Sequence, residues 1–416
     1  MGAVRDLDIV LYGATGAVGS LTARYLAGRA PGVRVGLAGR SRERLEALRR
    51  SLGEPAGQWP LLVADVGAGS LQPVAARTRV LLSAVGPYGP HGMGAVEACA
   101  ATGTDYLDLA AEVPFVRRSI DTCHEQAAAT GARIVHSCGF DSIPSDLTVY
   151  ALHRRVAADG AGELADTTCV LRNAVYASGF SPGTVDTMIE LMRTGSGDAH
   201  TRRLLDDPYS LSPDRADEPD LGLQPDVSLH RGEEVAPELE GLWLSGYLMA
   251  LYNTRCVRRS AALMGGAYGP RFRYRETASM GSSPVAPVMA LMTNATISGA
   301  ARLGGPYLQL FPPGTLRALT ARPRTGHADS SRGHYRVETY TTTSGGARYL
   351  ARMSQAGDPG YAATAVLFGE SALALLLDRD RLPPRAGVLT PASAMGDALL
   401  ARLSAAGVPV EVVRLR

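Results

Sequence analysis

The stretch IVLYGATGAVG, residues 9 to 19, constrains the fold more than any other part of the chain. Ile9 to Tyr12 read as the end of a buried strand, glycines follow at 13, 16 and 19, and Ala17 onward reads as a helix. Such a turn lets backbone approach a pyrophosphate closely. The phosphate then sits against amide N–H groups at a helix N-terminus, where the dipole favours negative charge. The spacing is GxxGxxG, one residue longer than the commoner fingerprint. In this strand–turn–helix context it predicts a dinucleotide held by Gly13, Ala14, Thr15, Gly16, Ala17, Val18 and Gly19.

The rest of the first 145 residues follows the same rhythm. Short apolar runs at 8–12, 34–38, 61–64, 80–84, 106–109 and 134–135 alternate with helical segments at 17–29, 42–52, 91–101 and 115–130. Alternation of this kind predicts an α/β fold, a Rossmann-type parallel sheet covered on both faces. After residue 146 the rhythm changes. Helices are expected at 144–157, 242–264 and 361–377, and strands at 271–278, 335–343 and 348–353, the last two flanking a Ser344-Gly345-Gly346 hairpin. The acidic, proline-containing stretch 206–240 reads as a surface excursion. The chain therefore divides into a nucleotide domain (1–145), a mixed α+β substrate domain with an antiparallel sheet (146–385), and a C-terminal helix and strand (386–416) packing back on the first domain.

The end of the second strand decides the cofactor. Where an acid would accept the ribose hydroxyl of NAD, this chain has Gly39-Arg40-Ser41. A guanidinium suits the 2′-phosphate of NADP, and Ser41 adds a hydrogen-bond donor. Asp65, ending the third strand, is placed on the adenine side or is a loop acid. Gly86, past the fourth strand, falls beside the nicotinamide. Tyr88 and His91 are the nearest titratable groups and are read as wall residues or proton donors.

Composition removes several chemistries. All 42 basic residues are arginine, so no lysine Schiff base and no Tyr-Lys pair is available. The five cysteines, Cys99, Cys123, Cys138, Cys169 and Cys256, lack CxxC spacing, which argues against a disulfide framework or a metal site. A net charge of +2 gives no pull toward nucleic acid. The N-terminus runs straight into a strand, unlike a signal or transit peptide. The longest uncharged span, 277–301, carries Pro284 and Pro287 and fits a buried or substrate-facing helix better than a membrane span. A cytoplasmic chain is expected, with peripheral membrane contact left open.

The blocks GATGAVG, LAGRS, AVGPYGPHG, GTDYLDLAAE, GARIVHSCGFDSIPSDL, NTRCVRRSAAL and GVLTPASAMGDALLARL, in this order, resemble the saccharopine dehydrogenase-like oxidoreductases. With RVETYTTTSGGARYLARM and GDPGYAATAVLFGESALALLLDRDRL, the chain looks like the trans-acting enoyl reductases of actinobacterial lipid synthesis. The resemblance implies NADPH-dependent saturation of a trans-2-enoyl chain on the phosphopantetheine arm of a polyketide synthase acyl carrier domain. Asp108-Leu109-Ala110-Ala111-Glu112 and Ser181-Pro182-Gly183-Thr184 depart from the family pattern, which leaves the acyl partner open. Two alternatives stand beside this: a saccharopine-type reductase of an imine, and a non-catalytic NADP-binding scaffold.

For enoyl reduction the segment RIVHSCGFDSIPSD is expected at the cleft. Ser142, with an amide at the start of the following helix, is expected to bind the thioester oxygen. Cys138 is read as packing and Asp141 as a cap or turn acid. The arginines Arg255, Arg258, Arg259, Arg271, Arg273 and Arg275 are read as a solvated face or a docking patch for an acidic carrier. The apolar helices at 242–254 and 284–298 are read as core or as an acyl tunnel.

Overall fold

The computed structural model describes residues 5–176, 199–303 and 332–416. The Ser181–Thr184 loop lies outside the described residues. Six short strands open the chain: β1 (Leu7–Tyr12), β2 (Val35–Gly39), β3 (Leu61–Val63), β4 (Thr78–Ser83), β5 (Asp105–Asp108) and β6 (Arg133–Val135). Six more follow: β7 (Leu164–Tyr176), β8 (His230–Arg231), β9 (Trp243–Gly246), β10 (Arg273–Gly281), β11 (Gly333–Thr343) and β12 (Arg348–Ala356). The C-terminal part adds β13 (Gly387–Leu389) and β14 (Val410–Arg414).

The first sheet has the order β13-β6-β5-β4-β1-β2-β3 and every pairing in it is parallel. It is the usual dinucleotide-binding order, extended by one strand from the C-terminus. The strand order switches direction between β1 and β4, so the crevice at their carboxyl ends is where a ligand binds in such a sheet. Ile9, Val10 and Leu11 are fully buried, as strands covered on both faces require. One cover is the Thr364–Leu377 helix, which packs on the Ala17–Arg29 helix and across β1, β4 and β5. The span Pro359–Leu377 is long and apolar enough to cross a membrane, but most of it is buried inside the molecule. Its Glu370 is fully buried and carries three donors: Tyr25 Oη, Arg29 Nε at 2.7 Å and Arg402 Nη1 at 3.1 Å. Such pairing is what permits a carboxylate inside.

The second sheet has the order β14-β12-β11-β7-β10-β9-β8. Only β7 and β10 pair in parallel; the other neighbours are antiparallel. Its central strand, β7, escapes a pattern search because Thr167, Thr168, Cys169 and Val170 are buried in succession, without alternation. Residues 242–264 form not one helix but β9 followed by the Ala250–Leu263 helix. The Ala286–Leu303 helix is only partly buried, with Ala286 and Ala290 closed off against the second sheet. Val285, Val288, Met289, Leu291 and Met292, at or just before its first turns, are exposed among the described residues. The 206–240 stretch runs largely over the surface, as expected, and is anchored by the buried Tyr209 and Leu211. The C-terminal segment returns to both sheets, β13 beside β6 and β14 beside β12.

Candidate functional site

The glycine turn is built as the sequence predicts. Gly13 adopts φ +81°, and a Cβ there would lie 2.7 Å from Val85 Cγ2. A Cβ on Gly19 would fall well inside contact distance of the Gly13 carbonyl oxygen. Gly16 stands at the N-cap of the Ala17–Arg29 helix with no side-chain cap, and no acid occupies the first turn. The N–H groups of Ala17, Val18 and Gly19 are thus left for a phosphate. Ala14 is buried beneath the turn and Thr15 lends its carbonyl to Arg44 Nη2 at 3.3 Å.

Arg40 is exposed at the carboxyl end of β2, with no hydrogen bond or ion pair among the described residues. It shares this corner with Asp65 and Tyr12, whose phenol burial pushes up. Ser41 caps the Arg42–Leu52 helix by accepting from Arg44 N at 3.3 Å, and Arg42 is held by Glu46. The free guanidinium and the open helix end fit the 2′-phosphate and pyrophosphate of NADP.

The next strand ends are tied together by buried acids. Glu112 accepts from Tyr88 N at 2.9 Å and from Gly89 N, fixing the turn that contains Gly86. Tyr88 Oη donates to Ser83 O at 2.9 Å and accepts from Leu109 N at 3.2 Å. Its proton is engaged by the Ser83 carbonyl, and burial raises the phenol far above its ordinary value. His91 is exposed beyond that turn. Asp108 accepts from Ser137 N and Ala110 N, both at 3.0 Å, and faces His136 Nδ1 at 2.7 Å. These bonds hold Ser137 at φ +67°, a strained conformation for a residue with a side chain.

Beyond it the chain turns toward the second sheet. Cys138 is fully buried, its thiol pushed far up by burial, in keeping with packing. Ser142 departs from expectation. It is 1% exposed and its hydroxyl donates inward to Asn253 Oδ1 at 2.7 Å, so its proton is not aimed at a substrate oxygen. Asn253 in turn donates to Asp141 O at 2.6 Å and to Glu276 Oε2 at 3.1 Å. Burial pushes the Glu276 carboxyl up to about 7. Asp141 lies in the turn before the next helix, as expected of a turn acid, but it does not cap that helix, which has no side-chain cap. Asn253, Glu276, Tyr176 and Tyr247 carry no sequence signature and were not anticipated.

Half of the basic run lies inside and cannot form a docking patch. Arg255, Arg258 and Arg259 are each at most 2% exposed, and they hold the carbonyls of Asp207, Pro208 and Leu211 respectively. Of the same run, Arg271 is exposed, Arg273 is tied to Leu221 O, and Arg275 faces Asp166 at 3.9 Å. A cavity of about 330 Å³ lined by Arg5, Arg79, Leu375, Leu376 and Arg379 opens at the amino ends of the first sheet, away from the cofactor edge.

Comparison with known proteins agrees with this architecture. Residues 9–135 match the saccharopine dehydrogenase NADP binding domain. The apo saccharopine dehydrogenase (L-Glu forming) of Saccharomyces cerevisiae shares the fold, with a TM-score of 0.55 at 14% identity over 99% of this chain and 100% of that one. A Mycobacterium tuberculosis protein provisionally named as a trans-acting enoyl reductase is 56% identical over 99% of this chain and 98% of its own length. The trans-acting enoyl reductases of Mycobacterium ulcerans and Mycobacterium tuberculosis are 54% and 52% identical, each over 99% of both chains. The chain belongs to the trans-acting enoyl reductase family, oxidoreductases built on an NADP-binding domain of the saccharopine dehydrogenase type.

Proposed function

We propose that this protein saturates the trans-2 double bond of an enoyl thioester with NADPH, acting in trans on a chain carried by a polyketide synthase acyl carrier domain. One observation carries the reading: relatives named for enoyl reduction match it at 52–56% identity over 99% of its length. When bound at this edge, NADPH would supply the hydride that the β carbon takes up. The residues of the chain do the rest. Amides at Gly16 to Gly19 hold the pyrophosphate, Arg40 holds the 2′-phosphate, and Gly86 leaves room beside the nicotinamide. Loops at the ends of β4, β5 and β6 keep the reacting carbons dry and in line. No nucleophile is needed, which suits five buried cysteines and an absence of lysine.

The test is NADPH oxidation with a trans-2-enoyl thioester on a purified carrier domain, beside the same carrier with a saturated chain and beside an imine. Oxidation with the enoyl carrier alone, yielding the saturated thioester, supports the reading. Turnover of the imine and not the enoyl chain would replace it with saccharopine-type chemistry.

A further inference from the structure

From Ala132 to Tyr150 every residue is buried except one, Asp141. Its neighbours Phe140 and Ser142 are 3% and 1% exposed. Its main chain is fixed by Asn253, yet its carboxyl has no hydrogen bond or ion pair among the described residues. A carboxyl that neither caps, pairs nor reaches bulk water freely has no structural task here, and the fold still turns it out of an otherwise closed segment.

Its position follows from a row of contacts along the carboxyl edge of the first sheet. Gly13 packs on Val85 beyond β4, Tyr88 receives the Leu109 N–H beyond β5, and Leu109 packs on Gly139 in the turn beyond β6. Asp141 stands two residues further on. The row begins at the pyrophosphate cradle and passes the nicotinamide side. On its other side are aromatic groups from the second sheet. Tyr176 ends β7, with its ring 6.3 Å from Phe140, whose other neighbour is Tyr335 at 4.6 Å. Tyr247 follows β9 and hydrogen-bonds Tyr176; both rings lie close enough to feel the Asp141 charge.

We propose that Asp141 is the proton donor to the α carbon of the enoyl substrate, within an aromatic pocket formed by Phe140, Tyr176 and Tyr247. The inference rests on the enoyl reduction proposed above. Hydride forms the C–H bond at the β carbon, and the π electrons move to give an enolate on the thioester. The Asp141 O–H bond then breaks, its proton forms the C–H bond at the α carbon, and the thioester carbonyl re-forms. Asp141 is left as a carboxylate and regains its proton from water. Burial alone pushes its carboxyl up to about 6, whereas both tyrosines are raised and stay protonated, so Asp141 is the member of the pocket that changes state in the working range.

The test uses Asp141→Asn, which keeps size and polarity. In cofactor-free protein, the infrared difference between wild type and variant should contain one carboxyl band titrating near pH 6. Affinity for NADPH should be unchanged. With the enoyl carrier, kcat should fall at least about 100-fold, and the decline of wild-type kcat/KM at rising pH should be absent. In D2O the wild type should place deuterium on one face of the α carbon and the variant on both, which a merely structural residue would not alter. Tyr247→Phe should shift the pH profile while keeping single-face deuteration. A variant that keeps wild-type kcat, pH profile and one-face deuteration overturns the role of Asp141 and leaves enoyl reduction standing. A wild type inert toward the enoyl carrier overturns both.

Discussion

We propose Arg40 as the residue on which cofactor choice turns. It is exposed and unpaired among the described residues, so Arg40→Ala disturbs no internal contact. Removing a charged hydrogen bond to the 2′-phosphate should weaken NADPH by about 1.5–3 kcal/mol, with NADH affinity unchanged, as read by cofactor fluorescence titration. Equal loss for both cofactors would place the 2′-phosphate elsewhere. Gly13, Gly19 and Arg40 were legible in the sequence because each is fixed by local chemistry: a turn, a close approach, a strand end. Ser142 and Asp141 were not. Their roles depend on Asn253, 111 and 112 positions away, and on which of two neighbouring side chains turns inward.

Elements meet at buried polar contacts that the sequence displays only as charges. Asp146, in the Ile143–Ala158 helix, accepts from Ser260 of the Ala250–Leu263 helix and from Ala392 N at 2.8 Å, at the start of the Pro391–Ala405 helix. Burial outweighs these bonds and pushes its carboxyl from 3.8 up to about 7. The folded state thus keeps a proton that the unfolded chain releases near pH 4. The stability this contributes is complete below that value and is lost as pH rises through about 7. The stability difference between wild type and Asp146→Asn should therefore change by about 1.4 kcal/mol per pH unit between pH 4 and 7. Urea unfolding at several pH values reads it, and a constant difference would contradict it. Arg259 is a comparable joint, donating to Val388 O in β13 and Leu211 O while burial lowers its pKa to about 10. Arg259→Met strands two carbonyls and should destabilise by about 1–3 kcal/mol. An unchanged urea midpoint would show the carbonyls find other partners.

At the scale of the whole molecule the two sheets share a core, which predicts that they unfold together. Leu82 and Val135 of the first sheet share a core with Tyr335 and Met353 of the second. The chain has two tryptophans, Trp59 just before β3 and Trp243 in β9, so each sheet has its own reporter. Thermal unfolding followed by fluorescence in Trp59→Phe and in Trp243→Phe should give coincident midpoints. NADPH at a hundred times its Kd should raise both, through about 2.7 kcal/mol of binding free energy. Separate midpoints, with only the Trp59 signal shifted, would mean the sheets unfold independently.

By itself the sequence determined six strands of the first sheet, its glycine cradle and the preference for NADP, but not the seventh strand, β13, which arrives from the C-terminal part. In the former, strand period, turn chemistry and helix start act within a few residues of one another. The second sheet was only partly legible. Its central strand is buried without alternation, and residues 242–264 divide between strand and helix where burial, not pattern, decides. Only the tertiary structure decided that three arginines of an apparent basic patch lie inside, answering carbonyls of a distant loop. It likewise decided that Asp141 alone is not closed off between Ala132 and Tyr150. Burial sets the charge state and hydrogen-bond partners of such groups, and it depends on elements that meet only once the chain has folded.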